Sequence, residues 1–312
     1  MGRYCFAADI GGTTIKMGLF SPEGEIINKW EIPTDTSDNG SNILRDIASA
    51  VKDEMTNRNL TSQDIAGIGV GAPGPVDKDG VIHKAVNLGW GVRNIKQELE
   101  QITGLSVMAG NDANVAALGE MWKGGGEGYR DLVVVTLGTG IGGGVIIDGK
   151  IVTGHMGAGG EIGHIHLEDD EKESCGCGNK GCFEQYASAT GVVRLAKRKL
   201  ASCSDDSVLR SGELSAKTVF DAVKAGDGLA MEIADEFGRY LGKGLAAIAA
   251  VTNPEVFVIG GGVSKAGKVI IDQAEKYYKE YVFHASRDAK FVLAKLGNDA
   301  GIYGAAKLVF DE

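Results

Sequence analysis

Four side chains in one short stretch of the chain are of types that bind a metal ion. His164 is followed by Cys175, Cys177 and Cys182, in the spacing H-x10-C-x-C-x4-C. Three thiolates and one imidazole complete the tetrahedral set that structural zinc takes. Gly176, Gly178 and Gly181 separate the cysteines and let a short loop turn its sulfurs inward. The segment is polar and has no apolar periodicity, so packing does not explain three cysteines there. The competing reading is free thiols or a redox pair. A complete ligand set leaves no open coordination position, so the ion is expected to fix the loop rather than to act as a Lewis acid. His166 is the rival imidazole.

Glycine-rich turns carry the second chemical signal. The stretches Gly69–Gly74 and Gly138–Gly143 satisfy G-x-G-x-x-G by letter. A dinucleotide site needs strand, loop and then helix, so that a pyrophosphate meets a helix N-terminus. The first stretch runs into Pro73 and Pro75 and the second into a strand-like run, so neither qualifies. The G-x-x-x-x-G-K-[ST] pattern of a P-loop is absent. The turns at Gly11-Gly12-Thr13-Thr14 and Gly138-Thr139-Gly140 suit a different geometry. A β-turn of Gly and Thr aims backbone N–H groups and hydroxyls at phosphate oxygens. Asp9, just before the first turn, is placed to hold Mg²⁺ through water. The plain alternative is two ordinary hairpin turns. Asn111-Asp112 ends one strand and opens a helix, where an Asp by itself reads as an N-cap.

The elements that must position these groups alternate in type. Strands are expected at 3–10, 15–20 and 25–32, a helix at 41–57, and strands at 65–70 and 105–109. A helix over 113–122 leads to a hinge at 123–131 containing Gly124-Gly125-Gly126. A second series follows: a strand at 132–137, the GTGIGGG turn, a strand at 145–147 and a helical region over 185–250. There Leu229, Ile233, Phe237, Leu241, Leu245 and Ile248 form one apolar stripe, either a core face or an interface. Asn253-Pro254 stops it. A strand at 256–259, a helix near 267–281, a strand at 291–294 and a helix capped by Asp299 complete the chain. The unit strand–glycine turn–strand occurs twice, at DIGGTTIKMGLF and TLGTGIGGGVII, which points to duplicated domains facing each other across a cleft.

Composition narrows the function classes. The 312 residues exceed what one core usually serves, so two domains are expected. The net charge is 32 minus 42, or −10, which disfavours nucleic acid and anionic membrane as partners. No apolar run approaches a membrane span, and the start MGRYCFAADI lacks the features of a secretory signal, so cytoplasm is the expected location. The five cysteines are an odd count and do not suggest a disulfide framework.

Several of these motifs occur together in one family. Leu137-Gly-Thr-Gly140-Ile-Gly-Gly-Gly-Val145, then Gly154, Gly160 and Gly163-His164, meets the central pattern of the ROK group (repressors, open reading frames, kinases). DIGGTT at 9–14 resembles the first phosphate motif of actin-like ATPases, and IGGGVS at 259–264 resembles their adenosine motif. The resemblance spans nearly the whole chain and comes closest to the bacterial ATP-dependent glucokinases. It implies an α/β, two-domain actin-like ATPase (ribonuclease H-like) fold with a cleft between the domains. The expected smaller domain is 1–118 plus 299–312, and the larger, zinc-bearing one 119–298. It implies transfer of a phosphoryl group from ATP, with Mg²⁺, to the 6-hydroxyl of a hexose, D-glucose first, as in glycolysis. Asp112 matches the family's catalytic base. Asn87, Asn111, Asp112, Glu161, His164 and Glu184 match its sugar ligands. Asp9, Gly11, Gly12, Thr13, Thr14, Gly138, Thr139, Gly140, Gly261 and Gly262 match its nucleotide site, and His164, Cys175, Cys177 and Cys182 its structural zinc site. Many members place a basic residue directly after GGT. Here Thr14 stands there and the lysine is Lys16, which puts a direct phosphate role for Lys16 in doubt.

Relatives of this kind are commonly dimers, so a homodimer or homotetramer is expected. Within the kinase class, N-acetylmannosamine, fructose and allose kinases compete with glucose, and polyphosphate competes with ATP as donor. A sugar-sensing ROK regulator is the reading from another class. Such regulators carry a helix-turn-helix before the kinase-like body, whereas here the first phosphate strand begins by residue 4, so a regulator reading would have to do without a DNA-binding domain.

Overall fold

The computed structural model describes residues 3–311. Two five-stranded sheets organise them. In the first half, β1 (Tyr4–Ile10), β2 (Thr14–Phe20) and β3 (Ile26–Pro33) form a meander. Helix α1 (Ile43–Asn57), β4 (Ile65–Ala72), the short strands β5 (Val81–Ile82) and β6 (Arg93–Asn94), α2 (Ile95–Thr103), β7 (Val107–Asn111) and α3 (Asp112–Lys123) follow. The second half brings β8 (Leu132–Leu137), β9 (Ile141–Ile147), β10 (Lys150–Ile151), α4 (Glu184–Ala187), α5 (Ala189–Ser202), α6 (Ala216–Lys224) and α7 (Gly228–Thr252). It ends with β11 (Val256–Gly260), α8 (Lys268–Tyr281), β12 (Lys290–Leu293) and α9 (Ala300–Phe310).

The sheet orders are β3-β2-β1-β4-β7 and β10-β9-β8-β11-β12. In each, an antiparallel hairpin is extended by two parallel strands. The repeated strand–turn–strand unit in the sequence is therefore a repeated sheet topology. β1 and β4 are buried on both faces and read as continuous apolar runs, whereas β3 alternates strictly between half-buried and exposed. In α1, Ile43, Leu44, Ile47, Ala48 and Val51 form the buried face.

The chain divides into two compact units, 1–128 with 150–160 and 296–312, and 129–149 with 161–295. This differs from the expected break at 118/119, which would cut α3 in the middle. That helix cannot be divided, because it packs backbone to backbone on α9. A Cβ on Gly304 would lie 1.6 Å from the carbonyl oxygen of Val115, and one on Gly119 would lie 2.2 Å from that of Ala300. Gly304→Ala is therefore expected to destabilise the first unit by about 1–3 kcal/mol, despite the better helix propensity of Ala. The readout is the denaturation midpoint, and an unchanged midpoint would show that the two helices separate without cost.

Other expectations need adjustment. GTGIGGG is not all turn: β9 begins at Ile141, because the glycines sit in extended backbone opposite β8. The helical region over 185–250 is four helices, interrupted around 203–215. The six residues of its apolar stripe are at most 3% exposed, so the stripe is a core face of α7 and not an interface. Asp299 occupies the cap position of α9 but makes no side-chain cap there; its carboxylate takes the Lys29 ammonium at 2.7 Å instead. No helix among the described residues is long and apolar enough to cross a membrane.

Candidate functional site

In the first unit, β1 delivers Asp9 to the Gly11–Thr14 turn, which closes through the Gly11 N–H on the Thr14 carbonyl at 3.0 Å. The Thr34 hydroxyl donates to the Gly11 carbonyl at 2.7 Å and braces the turn from β3's end. Asp9 faces Lys16 across the hairpin register, with the ammonium 3.7 Å from its carboxylate. Burial pushes the Asp9 carboxyl up from its ordinary range, and Lys16 pulls it partly back. Lys16 is thus the counter-ion of Asp9.

Asn111 and Asp112 sit where β7 becomes α3. The N-cap is Asn111 and not Asp112: the Asn111 side-chain oxygen accepts the Asn114 N–H at 3.1 Å. The Asn111 amide donates to the Gly74 carbonyl at 3.1 Å, tying the loop after β4 to the end of β7, and to Asp112 Oδ1 at 3.0 Å. Asp112 is the first helical residue. Its carboxylate gains the partial positive charge of the helix start, and Oδ1 also accepts the Ala113 N–H at 2.8 Å. Asn87 is exposed, on the short turn Val86–Leu88 of the same unit.

In the second unit, His164, Cys175, Cys177 and Cys182 converge, with their candidate ligand atoms all within 4.8 Å of one another. Cys177 and Cys182 sulfurs are 3.7 Å apart. Two sulfurs on a tetrahedral zinc with bonds of ~2.3 Å would stand ~3.8 Å apart, so the donor set fits that ion. The rival imidazole is excluded by its bonds. His166 Nδ1 donates to the Lys180 carbonyl at 2.9 Å and Nε2 to Asp169 at 2.8 Å. The Asp169 carboxylate raises the His166 pKa. His164 instead turns Nδ1 towards Cys175 at 3.7 Å and Nε2 towards Glu161 at 3.9 Å. One ring therefore faces the cluster with one nitrogen and Glu161 with the other.

Glu184, at the start of α4, joins this cluster to the second glycine turn. Its Oε1 accepts the Cys175 thiol at 2.9 Å, and its Oε2 accepts the Ile141 N–H at 3.3 Å. A Cβ on Gly140 would lie 2.3 Å from Glu184 Oε2, so any larger residue there would push the Glu184 carboxylate aside. The turn itself is anchored by the Ala189 N–H on the Gly138 carbonyl at 2.8 Å and by the Thr190 hydroxyl on the Thr139 carbonyl at 2.6 Å. Beside it lies a cavity of about 550 Å³ lined by Thr139, Thr190, Arg194, Lys197 and Ser215. A smaller one, about 190 Å³, is lined by Phe220, Lys217, Gly262 and Lys265 and shares Ala216 with the first. The two glycine motifs of this unit thus open on one run of cavities.

Sequence reading missed the scaffold of the zinc loop. Glu171, 5% exposed, accepts hydrogen bonds from the Tyr186 hydroxyl and from Arg198, and pairs with Arg194 at 2.6 Å. These cations hold its carboxyl well below the usual range against the cost of burial. Nothing in the local sequence sets Glu171 apart from its acidic neighbours, so its role emerges only with α5 packed against the loop.

The whole chain matches known proteins. The ROK family model matches residues 5–312. A glucokinase of Halalkalibacterium halodurans is 43% identical over 98% of this chain and 95% of that protein. A glucokinase of Streptomyces coelicolor is 37% identical over 96% and 95%. The crystal structure of a ROK family glucokinase from Streptomyces griseus in complex with glucose and AMPPNP superposes with a TM-score of 0.75 at 34% identity, covering 99% of this chain and 100% of that one. With two glycine-turn hairpins heading two like sheets, and with similarity running from end to end, the chain belongs to the ROK family and has its actin-like ATPase fold.

Proposed function

We propose that this protein is an ATP-dependent glucokinase, transferring the γ-phosphoryl group to the 6-hydroxyl of D-glucose. The observation that carries the reading is the placement of Asp112. Capping of α3 is done by Asn111, so the Asp112 carboxylate is held at a strand end, oriented by the Asn111 amide, as a base for a hydroxyl should be. A carboxylate is a weak base for an alcohol, so orientation of the attacking oxygen comes first and proton transfer late. Asn87, Asn111, Glu161, His164 and Glu184 are assigned to the sugar hydroxyls, each of which donates and accepts. Both glycine turns are assigned to the phosphates, and Gly261 and Gly262 to the adenosine. Mg²⁺, when bound, neutralises phosphate charge; Asp9 is assigned to hold it through water. Zinc in the His164–Cys182 cluster is structural, keeping Glu161, His164 and Glu184 on one firm loop. The reading includes a cytoplasmic, glycolytic enzyme acting as a homodimer or larger assembly, with no nucleic-acid partner at a net charge of −10.

The test is ADP formation from ATP and Mg²⁺ with glucose, mannose, fructose, N-acetylglucosamine, N-acetylmannosamine and allose in parallel. Glucose is expected to give the highest kcat/KM, by about tenfold or more over its epimers, because a site built to hydrogen-bond one hydroxyl arrangement leaves buried groups unpaired with another. Preference for a different sugar would keep the reaction and overturn the glucose assignment. No turnover with any sugar, with ATP or polyphosphate, would overturn the kinase reading in favour of a sensor.

A further inference from the structure

Glu120 is a carboxylate only 2% exposed, on the helix that begins with Asp112. The two residues are eight positions apart, about 12 Å along the helix axis. Glu120 receives four backbone N–H groups. Its Oε2 accepts that of Gly125 at 2.8 Å, and its Oε1 that of Leu296 at 2.9 Å. Its main-chain carbonyl accepts those of Gly124 at 3.1 Å and Gly126 at 2.9 Å. A Cβ on Gly124 would lie 2.1 Å from Oε2, so the glycine run wraps closely around the carboxylate.

The positions of these partners give the arrangement its meaning. The chain passes between its two units four times, and one passage follows Gly128 while another precedes Leu296. Glu120 therefore grips the outgoing chain a few residues before it leaves the first unit, and the returning chain at the residue where it comes back. An ionised carboxylate suits this task, since both oxygens only accept. A glutamine could satisfy one of the two N–H groups but would point its own amide hydrogens at the other.

We propose that Glu120 is a positioning residue for phosphoryl transfer. One side chain pins two interdomain connections to the helix that carries Asp112. The helix start that carries Asp112 is thereby kept in register with the points where the chain leaves and re-enters the first unit. The proposal rests on the kinase reading for its kinetic consequence, but its structural core does not.

The test combines amide hydrogen exchange with steady-state kinetics on the full-length protein, with and without glucose. The variants are Glu120→Gln, Gly124→Ala, which crowds the carboxylate without removing it, and Leu245→Ala as a destabilised control in the core of the second unit. Both Glu120→Gln and Gly124→Ala are expected to speed exchange about tenfold or more at 124–126 and at 296 together, as loss of charge-assisted bonds requires. They are also expected to lower kcat by about 10²-fold, with KM changing far less, as misplacement of a base does. Leu245→Ala is expected to melt earlier and keep its kcat per folded molecule. If Glu120→Gln does not fold, Gly124→Ala carries the test. Faster exchange at one segment only, or kinetics that merely follow the folded fraction, would overturn the proposal. If the wild-type chain phosphorylates no sugar, the kinase reading fails separately, and coupled exchange at the two segments still decides whether Glu120 is the clamp.

Discussion

Asp112→Asn is expected to lower turnover by about 10²–10⁴-fold while leaving sugar affinity near that of the wild type. The substitution is nearly isosteric. An asparagine oxygen can still accept the Ala113 N–H and the Asn111 amide that now meet Asp112 Oδ1, so the start of α3 should keep its shape. What disappears is the negative charge and the ability to take up a proton, which the proposed base role requires. Calorimetric titration with glucose separates binding from chemistry, and single-turnover kinetics measures the loss. Because Asn111 does the capping, a large loss of stability is not expected. Near-normal turnover in a folded Asp112→Asn protein would remove Asp112 from the base role, and lost sugar binding would make it a ligand first.

Cys177→Ala is expected to reduce bound zinc from about one ion per chain to nearly none, because three ligands do not hold a structural site closed. Cys177 is exposed whereas Cys175 and Cys182 are buried, so this is the cysteine whose loss leaves no cavity, and the effect reports on the metal. Elemental analysis gives the metal content, and limited proteolysis gives the consequence. Cleavage is expected between about 172 and 183, where the loop would keep only hydrogen bonds such as those of the Glu173 and Lys180 carbonyls to Gln185 and His166. Upstream, the Glu171 pairs with Arg194 and Arg198 should keep the loop attached to α5. Sugar phosphorylation should fall with the loop, since Glu161, His164 and Glu184 are positioned by it. Full activity in a metal-free protein would show that the cluster does not organise the pocket. Unfolding of the whole second unit would show that the Glu171 anchor cannot stand alone.

Much of the site could be read in the chain because its chemistry is local. Cys175, Cys177 and Cys182 lie within eight residues, with glycines between them, so ligand type and spacing already define a tetrahedral donor set. The glycine turns are legible for the same reason: a hairpin is decided by neighbours in sequence, and strand periodicity carries over directly into β1, β2, β8 and β9. The repeated hairpin likewise foretold the repeated sheet order. Boundaries drifted by a few residues where glycine in extended backbone looks like a turn, as at the start of β9. The small β5–β6 pair was missed, since two-residue strands carry no period, and the nine-residue α2 was missed with it.

Groups whose partners are far away in sequence were decided only by tertiary structure. His164 and His166 are two residues apart and indistinguishable by type; the carbonyl of Lys180 and the carboxylate of Asp169 occupy His166 and leave His164 to the cysteines. Asp112 looked like a cap until the side chain of Asn111 was seen to make that bond. Glu120 and Glu171 were anonymous acids. One gained its role from Leu296, 176 residues away, and the other from Arg198, 27 residues away. The sequence by itself determined the donor atoms, the turns and the duplicated architecture, because those follow from residue type and short-range periodicity. Asp112 was already marked by the family resemblance; which other acid grips the chain connections and which anchors the zinc loop was left to the fold, because a carboxylate's task depends on the N–H groups and cations that packing brings to it.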